Sequence, residues 1–255
     1  MIDELSLAID VGNTHVSVGE FRGKTLASAF QLETQRPDAE LWREIGDHVP
    51  GVALGDVGAV GISSVVRGKG EGLKESFPGT TPVWVLTKDT DWPMTSRYST
   101  RLGTDRMLAA IAARELHGAP VIAVDIGTAG TIDLVDRDGV FAGGVIVAGA
   151  GLRGKALHDF TSVLPLVAPT GSPPPVLGLD TEAAILSGLY HGMREEALGL
   201  VKAIRAQIHA EAPVVATGSG AALFTHDTPK GWHIERWLNL YGIAVTLRHV
   251  QAAPS

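Results

Sequence analysis

Apolar and polar positions along the first third of the chain alternate or run in short blocks separated by glycine turns. This predicts strands at Leu5 to Asp10, His15 to Phe21 and Leu26 to Leu32, joined as an antiparallel meander. The pattern then changes. Pro37 to Val49 has helical spacing, Val57 to Ser63 reads as a buried strand, Lys69 to Phe77 as a weak helix and Pro82 to Leu86 as another strand. Apolar residues recur at helical spacing from Thr104 to His117.

From Pro120 the opening pattern returns: VIAVDIGTAGTIDLVDRDGVFAGGVIV again reads as strand, glycine turn, strand, turn, strand. The aspartates at 10 and 125 and the glycines at 12 and 127 keep one offset of 115, whereas Thr14 and Thr128 do not, because the first turn has an extra residue. A repeat of that period is too long for a solenoid and predicts two related lobes with a cleft between them, 1–117 and 118–255. The remainder reads as a helix near Leu152 to Phe160, a proline-rich loop at Pro165 to Pro175 and a long helix from Thr181 to Ala210. A strand at Pro213 to Ala216, a glycine turn with a short helix, and a final helix near Trp237 to Val250 follow.

Composition narrows the function. With 45% hydrophobic and 19% charged residues the chain is an ordinary packing sequence. A formal charge of -7 and no basic run argue against nucleic acid as a partner, since that binding needs a cationic footprint. An acidic protein that holds phosphates must neutralise them with bound cations and backbone N–H groups, so Mg²⁺ is expected. The absence of cysteine excludes disulfides and thiolate chemistry and fits a reducing cytoplasm. The start of the chain has no basic n-region and no apolar stretch reaches membrane-spanning length, so no membrane partner is expected.

One Asp-x-Gly turn is ordinary, because Asp makes Asx turns and Gly accepts positive φ. Two at matching positions point to phosphate binding: such turns present N–H groups to an anion while the carboxylate holds a cation or its water. Asn13, Thr14 and Thr128 add neutral donors. In Gly103-Thr104-Asp105-Arg106, Thr104 and Asp105 suit a helix start, but Arg106 in a first turn opposes the helix dipole and predicts a bound anion, carboxylate or phosphate. Thr181 reads as an N-cap, with Asp180 as the rival cap. His158, His191 and His226 read as surface or satisfied residues.

Two motifs are rejected. Gly23-Lys24-Thr25 resembles the tail of a P-loop, but Val18 stands where the first glycine belongs and the segment lies in a hairpin turn. Gly149 to Gly154 is a formal G-x-G-x-x-G, but a proline-rich loop follows its helix where a dinucleotide fold needs a strand and an acid. Small residues there bring a helix N-terminus close to a ligand site instead.

Taken together, IDVGNTHVSVGEF, Tyr98 with LGTDR, VDIGTAGTIDLVD, AGGVIVAG, HDFTSVLP, DTEAAILSG and WLNLYGI resemble the type III pantothenate kinases of the acetate-kinase, sugar-kinase, Hsp70 and actin superfamily, over nearly the whole chain. The resemblance implies an α/β fold of two related ribonuclease H-like lobes (actin-like ATPase fold), each a mixed sheet flanked by helices. It implies ATP-dependent phosphorylation of pantothenate to 4'-phosphopantothenate, the first step of coenzyme A biosynthesis, in a cytoplasmic homodimer. Asp10, Val11, Gly12, Asn13, Thr14, His15, Val16 and Ser17 match the first phosphate loop, with Asp10 oriented toward Mg²⁺, and Thr128 matches the second phosphate contact. Asp125 matches a monovalent-cation position for K⁺ or NH4⁺. Tyr98, Gly103, Thr104, Asp105, Arg106 and Thr181 match substrate positions, with Asp105 the catalytic base. Three positions depart from the family pattern: Gly130 stands for a threonine, Ala148 for a proline, and Ser219 interrupts a Gly-Gly pair. The alternatives are a non-catalytic nucleotide-binding regulator on this fold and a kinase of another small hydroxyl compound.

Overall fold

The computed structural model describes residues 5–49, 56–98, 102–168 and 172–252. The first four residues, used above for the leader reading, and positions 169–171 of the proline-rich loop lie outside them. The chain forms two compact units: residues 1–115 together with 237–255, and residues 116–236.

In the first unit, β1 (Leu5–Val11), β2 (His15–Arg22) and β3 (Thr25–Glu33) form the expected antiparallel meander, and β4 (Ala59–Ser64) and β5 (Val83–Leu86) add in parallel, giving the order β3-β2-β1-β4-β5. The period of two in β1 sorts its side chains. Leu7, Ile9 and Val11 join the core beneath helices α1 (Asp38–His48) and α2 (Lys69–Glu75), while Ala8 faces the opposite core with Leu108 of α3 (Thr104–His117) and Ile243 of the C-terminal helix.

The second unit repeats this topology. Strands β6 (Val121–Ile126), β7 (Ala129–Val135) and β8 (Phe141–Ala148) make the meander, and β9 (Val214–Thr217) and β10 (Trp232–Ile234) add in parallel, in the order β10-β9-β6-β7-β8. Helix α4 (Ala150–Asp159) leads to α5 (Thr181–Ile208), whose Tyr190, Met193, Ala197 and Val201 cover Ile122, Val124 and Ile126. The three-residue β10 is too short to show a period and escapes the sequence pattern.

The tail differs from expectation. The last helix, α6 (Leu238–Ala252), belongs with the first unit, not with a lobe running from 118 to the end. Glycines make room for it: a Cβ on Gly61 of β4 would come within 2.8 Å of Ile243, and one on Gly242 within 2.2 Å of the Leu108 carbonyl oxygen. Removing those side chains lets α6 lie close against β4 and α3.

Candidate active site

Strand β1 ends by presenting Asp10, and the chain reverses at once into β2. The Gly12 amide donates to the His15 carbonyl (2.9 Å). Thr34 braces the turn twice, its hydroxyl donating to the Gly12 carbonyl (2.8 Å) and its amide to the Thr14 carbonyl (3.1 Å). Asn13, Thr14 and His15 are exposed on this turn, whereas Val11 and Val16 are fully buried in the core beneath it. Of the eight residues assigned to the first loop, these two valines can therefore contribute only backbone groups.

Asp10 sits in register with Ser17 on β2 and Ser63 on β4. Asn239 of α6 points its amide Nδ2 at Asp10 Oδ2 (3.4 Å). The Ser63 hydroxyl lies 3.4 Å from the Thr104 hydroxyl, which opens α3 immediately before Asp105. The first carboxylate and the candidate base are thus joined through two neighbouring strands and a helix start. One carboxylate oxygen of Asp105 accepts the Arg106 amide (2.9 Å).

Arg106 is 6% exposed, and its guanidinium carbon lies 5.0 Å from the centre of the Tyr98 ring. An aromatic face offsets part of the cost of holding a cation in the first turn. Tyr98 and Arg106 are brought together, with Asp105 next to Arg106 in the chain.

The second turn repeats the first with one residue fewer. The Gly127 amide donates to the Ala129 carbonyl (2.9 Å), and Asp125 stands in register with Thr131 on β7 and Thr217 on β9. Each carboxylate therefore has a hydroxyl residue beside it on both neighbouring strands: Ser17 and Ser63 for Asp10, Thr131 and Thr217 for Asp125.

Thr128 is exposed, and its carbonyl accepts the amide of Gly149 (3.0 Å) at the head of α4. A Cβ on Gly149 would lie 2.1 Å from the Gly127 carbonyl oxygen, so only glycine allows this approach. That is the role of the first glycine in the formal G-x-G-x-x-G. Gly151 faces open space, and a Cβ on Gly154 would meet the Val167 carbonyl oxygen at 2.7 Å.

Gly218 closes the other side of the second carboxylate. It has φ +79° and ψ 174°, and a Cβ there would lie 2.4 Å from Asp125 Oδ1 and 2.5 Å from the Ile126 carbonyl oxygen. Gly130, where the family has threonine, packs against β8: a Cβ would come 2.9 Å from Val147. Ser219 begins the short 3-10 turn after Gly218, and Ala148 offers its carbonyl to the Arg153 side chain.

Thr181 is the first residue of α5, but it is not the cap. The Asp180 carboxylate accepts the Ala183 amide (2.8 Å) and takes that place, so the Thr181 hydroxyl is not used by its own helix. His158 and His191 are satisfied by the main-chain carbonyls of Leu164 and Pro174.

Residues 6–203 match the type III pantothenate kinase family. The chain belongs to that family. A type III pantothenate kinase of Thermomicrobium roseum is 36% identical over 93% of this chain and 94% of its own length. One from Rhodospirillum rubrum is 33% identical over 96% and 98%. As a type III pantothenate kinase the chain is an enzyme of coenzyme A biosynthesis that uses ATP.

The fold has wider relatives. Component A of (R)-2-hydroxyglutaryl-CoA dehydratase from Acidaminococcus fermentans superposes with a TM-score of 0.56 at 13% identity, covering 96% of this chain and 97% of that one. The polyphosphate/ATP-glucomannokinase of Arthrobacter sp. strain KM gives 0.52 at 14%, covering 97% and 99%. Both place the paired sheets in the actin-like ATPase fold.

Motif reading gave no role to Ser63 or Asn239, and it took Thr217 only as part of the strand and glycine turn from Val214 to Gly220. Asn239 sits in the WLNLYGI stretch, but it lies more than two hundred positions from Asp10, and nothing in the spacing links the two. Ser63 and Thr217 did have a signal, because each is a hydroxyl residue near the end of the parallel strand beside a repeated Asp-x-Gly strand.

Proposed function

We propose that this chain transfers the γ-phosphoryl group of ATP to the terminal hydroxyl of pantothenate, with the two Asp-x-Gly turns holding the phosphates of one nucleotide. The observation that carries the reading is the duplication itself: the same carboxylate, turn and hydroxyl neighbours recur at the end of the central strand of both units. Exposed Asn13, Thr14 and Thr128, with the backbone amides of Asn13 and Thr14 at the tip of the turn, supply phosphate donors without adding charge.

Asp105 is the base. It orients the substrate hydroxyl and takes its proton as the oxygen attacks phosphorus, and the bond to the ADP oxygen breaks. Arg106, backed by Tyr98, anchors the substrate carboxylate, and Gly103, Thr104 and Thr181 complete the acceptor site. Phosphoryl transfer asks mainly for alignment and charge stabilisation, which fixed turns and a helix start provide.

The cations fit the donors present. Among the described residues no group of three or more His, Asp or Glu could by itself hold a metal. Mg²⁺ ordinarily keeps several waters and takes one or two carboxylates plus substrate phosphates, so Asp10 alone suffices on the protein side. Asp125, with the Ile126 carbonyl and Thr217 nearby, offers the oxygen donors a K⁺ or NH4⁺ ion prefers. Bound Mg²⁺ would neutralise charge developing on the phosphate oxygens.

The protein works as a cytoplasmic homodimer. Phe160, Val163, Leu177 and Leu179 are each more than 80% exposed in the second unit, a larger apolar display than single scattered side chains, and a second copy covers it. Among the described residues no helix is long and apolar enough to cross a membrane.

The test is ADP release from Mg-ATP with potassium, with and without pantothenate, beside a panel of sugars and hydroxy acids. Pantothenate alone should stimulate release. Stimulation by another compound in its place would point to a different acceptor, and tight ATP binding without stimulation by any compound would point to a regulator.

A further inference from the structure

We propose that Arg153 is a positioning residue for the second phosphate turn, tying that turn to the helix that carries Thr181. The inference rests on the reading of Thr128 as a phosphate contact. Its observations lie wholly within the second unit and begin with how little holds the turn. Beyond the hairpin itself, the Thr128 carbonyl is fixed by one hydrogen bond, from the Gly149 amide (3.0 Å). Whatever fixes Gly149 therefore fixes Thr128.

Arg153 does this from three directions. Its amide donates to the Gly149 carbonyl (3.1 Å), closing the first turn of α4. Its Nε donates to the Ala148 carbonyl (2.7 Å), the residue just before Gly149. Its Nη2 pairs with the Glu196 carboxylate on α5, fifteen residues along from Thr181. The Nε bond to Ala148 and the pair to Glu196 use one planar guanidinium in a fixed geometry, which a flexible ammonium cannot reproduce.

Arg153 is 28% exposed and Glu196 35%, so the pair contributes little as a surface ion pair. Its consequence is positional. With Gly149 pressed against the carbonyls of Gly127 and Thr128, movement of the head of α4 is passed directly to the turn. The same Arg153 lines the groove between α4 and α5 together with Thr181. The acceptor-side threonine and the phosphate-side threonine thus share one rigid reference.

The experiment compares Arg153→Ala, Arg153→Lys and Glu196→Gln with wild type by hydrogen exchange and steady-state kinetics. Exchange of the Gly149 amide should quicken in Arg153→Ala while strands β6 and β9 keep wild-type protection. The KM for Mg-ATP should rise about tenfold, the scale of lost outer-sphere positioning partners, with the KM for pantothenate changed far less. Arg153→Lys should rescue only in part, and Glu196→Gln, which leaves residue 153 intact, should shift exchange and KM in the same direction by less.

Unchanged Gly149 exchange in Arg153→Ala, or an equal loss of protection across β6 and β9, would overturn the proposal. The expected exchange changes in the variants, with no pantothenate-dependent ADP release by wild type, would instead count against the kinase reading and leave the mechanical link standing.

Discussion

The amide of Asn239 faces the carboxylate of Asp10 at 3.4 Å, although the two residues stand at opposite ends of the chain. A C-terminal helix thereby braces the carboxylate at the first Asp-x-Gly turn. Asn239→Ala should lower kcat/KM for Mg-ATP about tenfold, as loss of an outer-sphere partner does. Asn239→Asp should cost more, because it sets a second negative charge beside the first. Steady-state kinetics at saturating pantothenate measures both.

Replacing Asp105 by Asn keeps the shape of the helix start and removes the proton acceptor. The turnover number should fall by about 10² to 10⁴, the range of general-base catalysis, while nucleotide affinity measured by calorimetry stays near wild type. Loss of affinity with unchanged turnover would assign Asp105 to binding.

Gly218→Ala brings a methyl group against Asp125 and forces an L-residue into a backbone region essentially reserved for glycine. A stability loss of about 1 to 3 kcal/mol is expected from the backbone alone. Potassium activation should weaken as well, since the displaced group is the carboxylate assigned to that ion. Denaturant titration and a potassium titration of the rate separate the two effects.

The tilted rings of His117 and His233, centroids 4.2 Å apart, make a further prediction. Burial first, and His233 second, hold the His117 pKa below the ordinary histidine value of 6.5. Below about pH 6.5 the folded state then binds fewer protons than the unfolded chain, so stability present above that pH is lost as acid is added. The denaturation midpoint should drop between pH 7.5 and 5.5, and by less in His117→Asn.

Much of this was readable before the structure. The meanders, the parallel strands β4 and β9, and the helices beginning at Asp38, Lys69, Thr104 and Thr181 follow from period-two and helical patterns that burial enforces locally. The repeated Asp-x-Gly turn was visible because a tight hairpin limits which residues can occupy it. The attachment of α6 was not, since it depends on space left by Gly61 and Gly242, and a missing side chain leaves no periodic trace. Asn239 was hidden for a related reason: its partner is chosen by packing across the unit, not by spacing. Spacing left Thr181 and Asp180 as rival caps of one helix, and the carboxylate of Asp180 takes the bond.

The central claim is that both turns act on a single ATP and that pantothenate receives its γ-phosphoryl group. Mass spectrometry of pantothenate incubated with Mg-ATP and potassium tests it most directly, with Asp10→Asn and Asp125→Asn run beside wild type. The account predicts one phosphoryl group gained per ADP released in wild type, with a severe loss in each single variant. Pantothenate left unmodified while another hydroxyl compound in the mixture gains the group, or full phosphorylation by either variant, would contradict it.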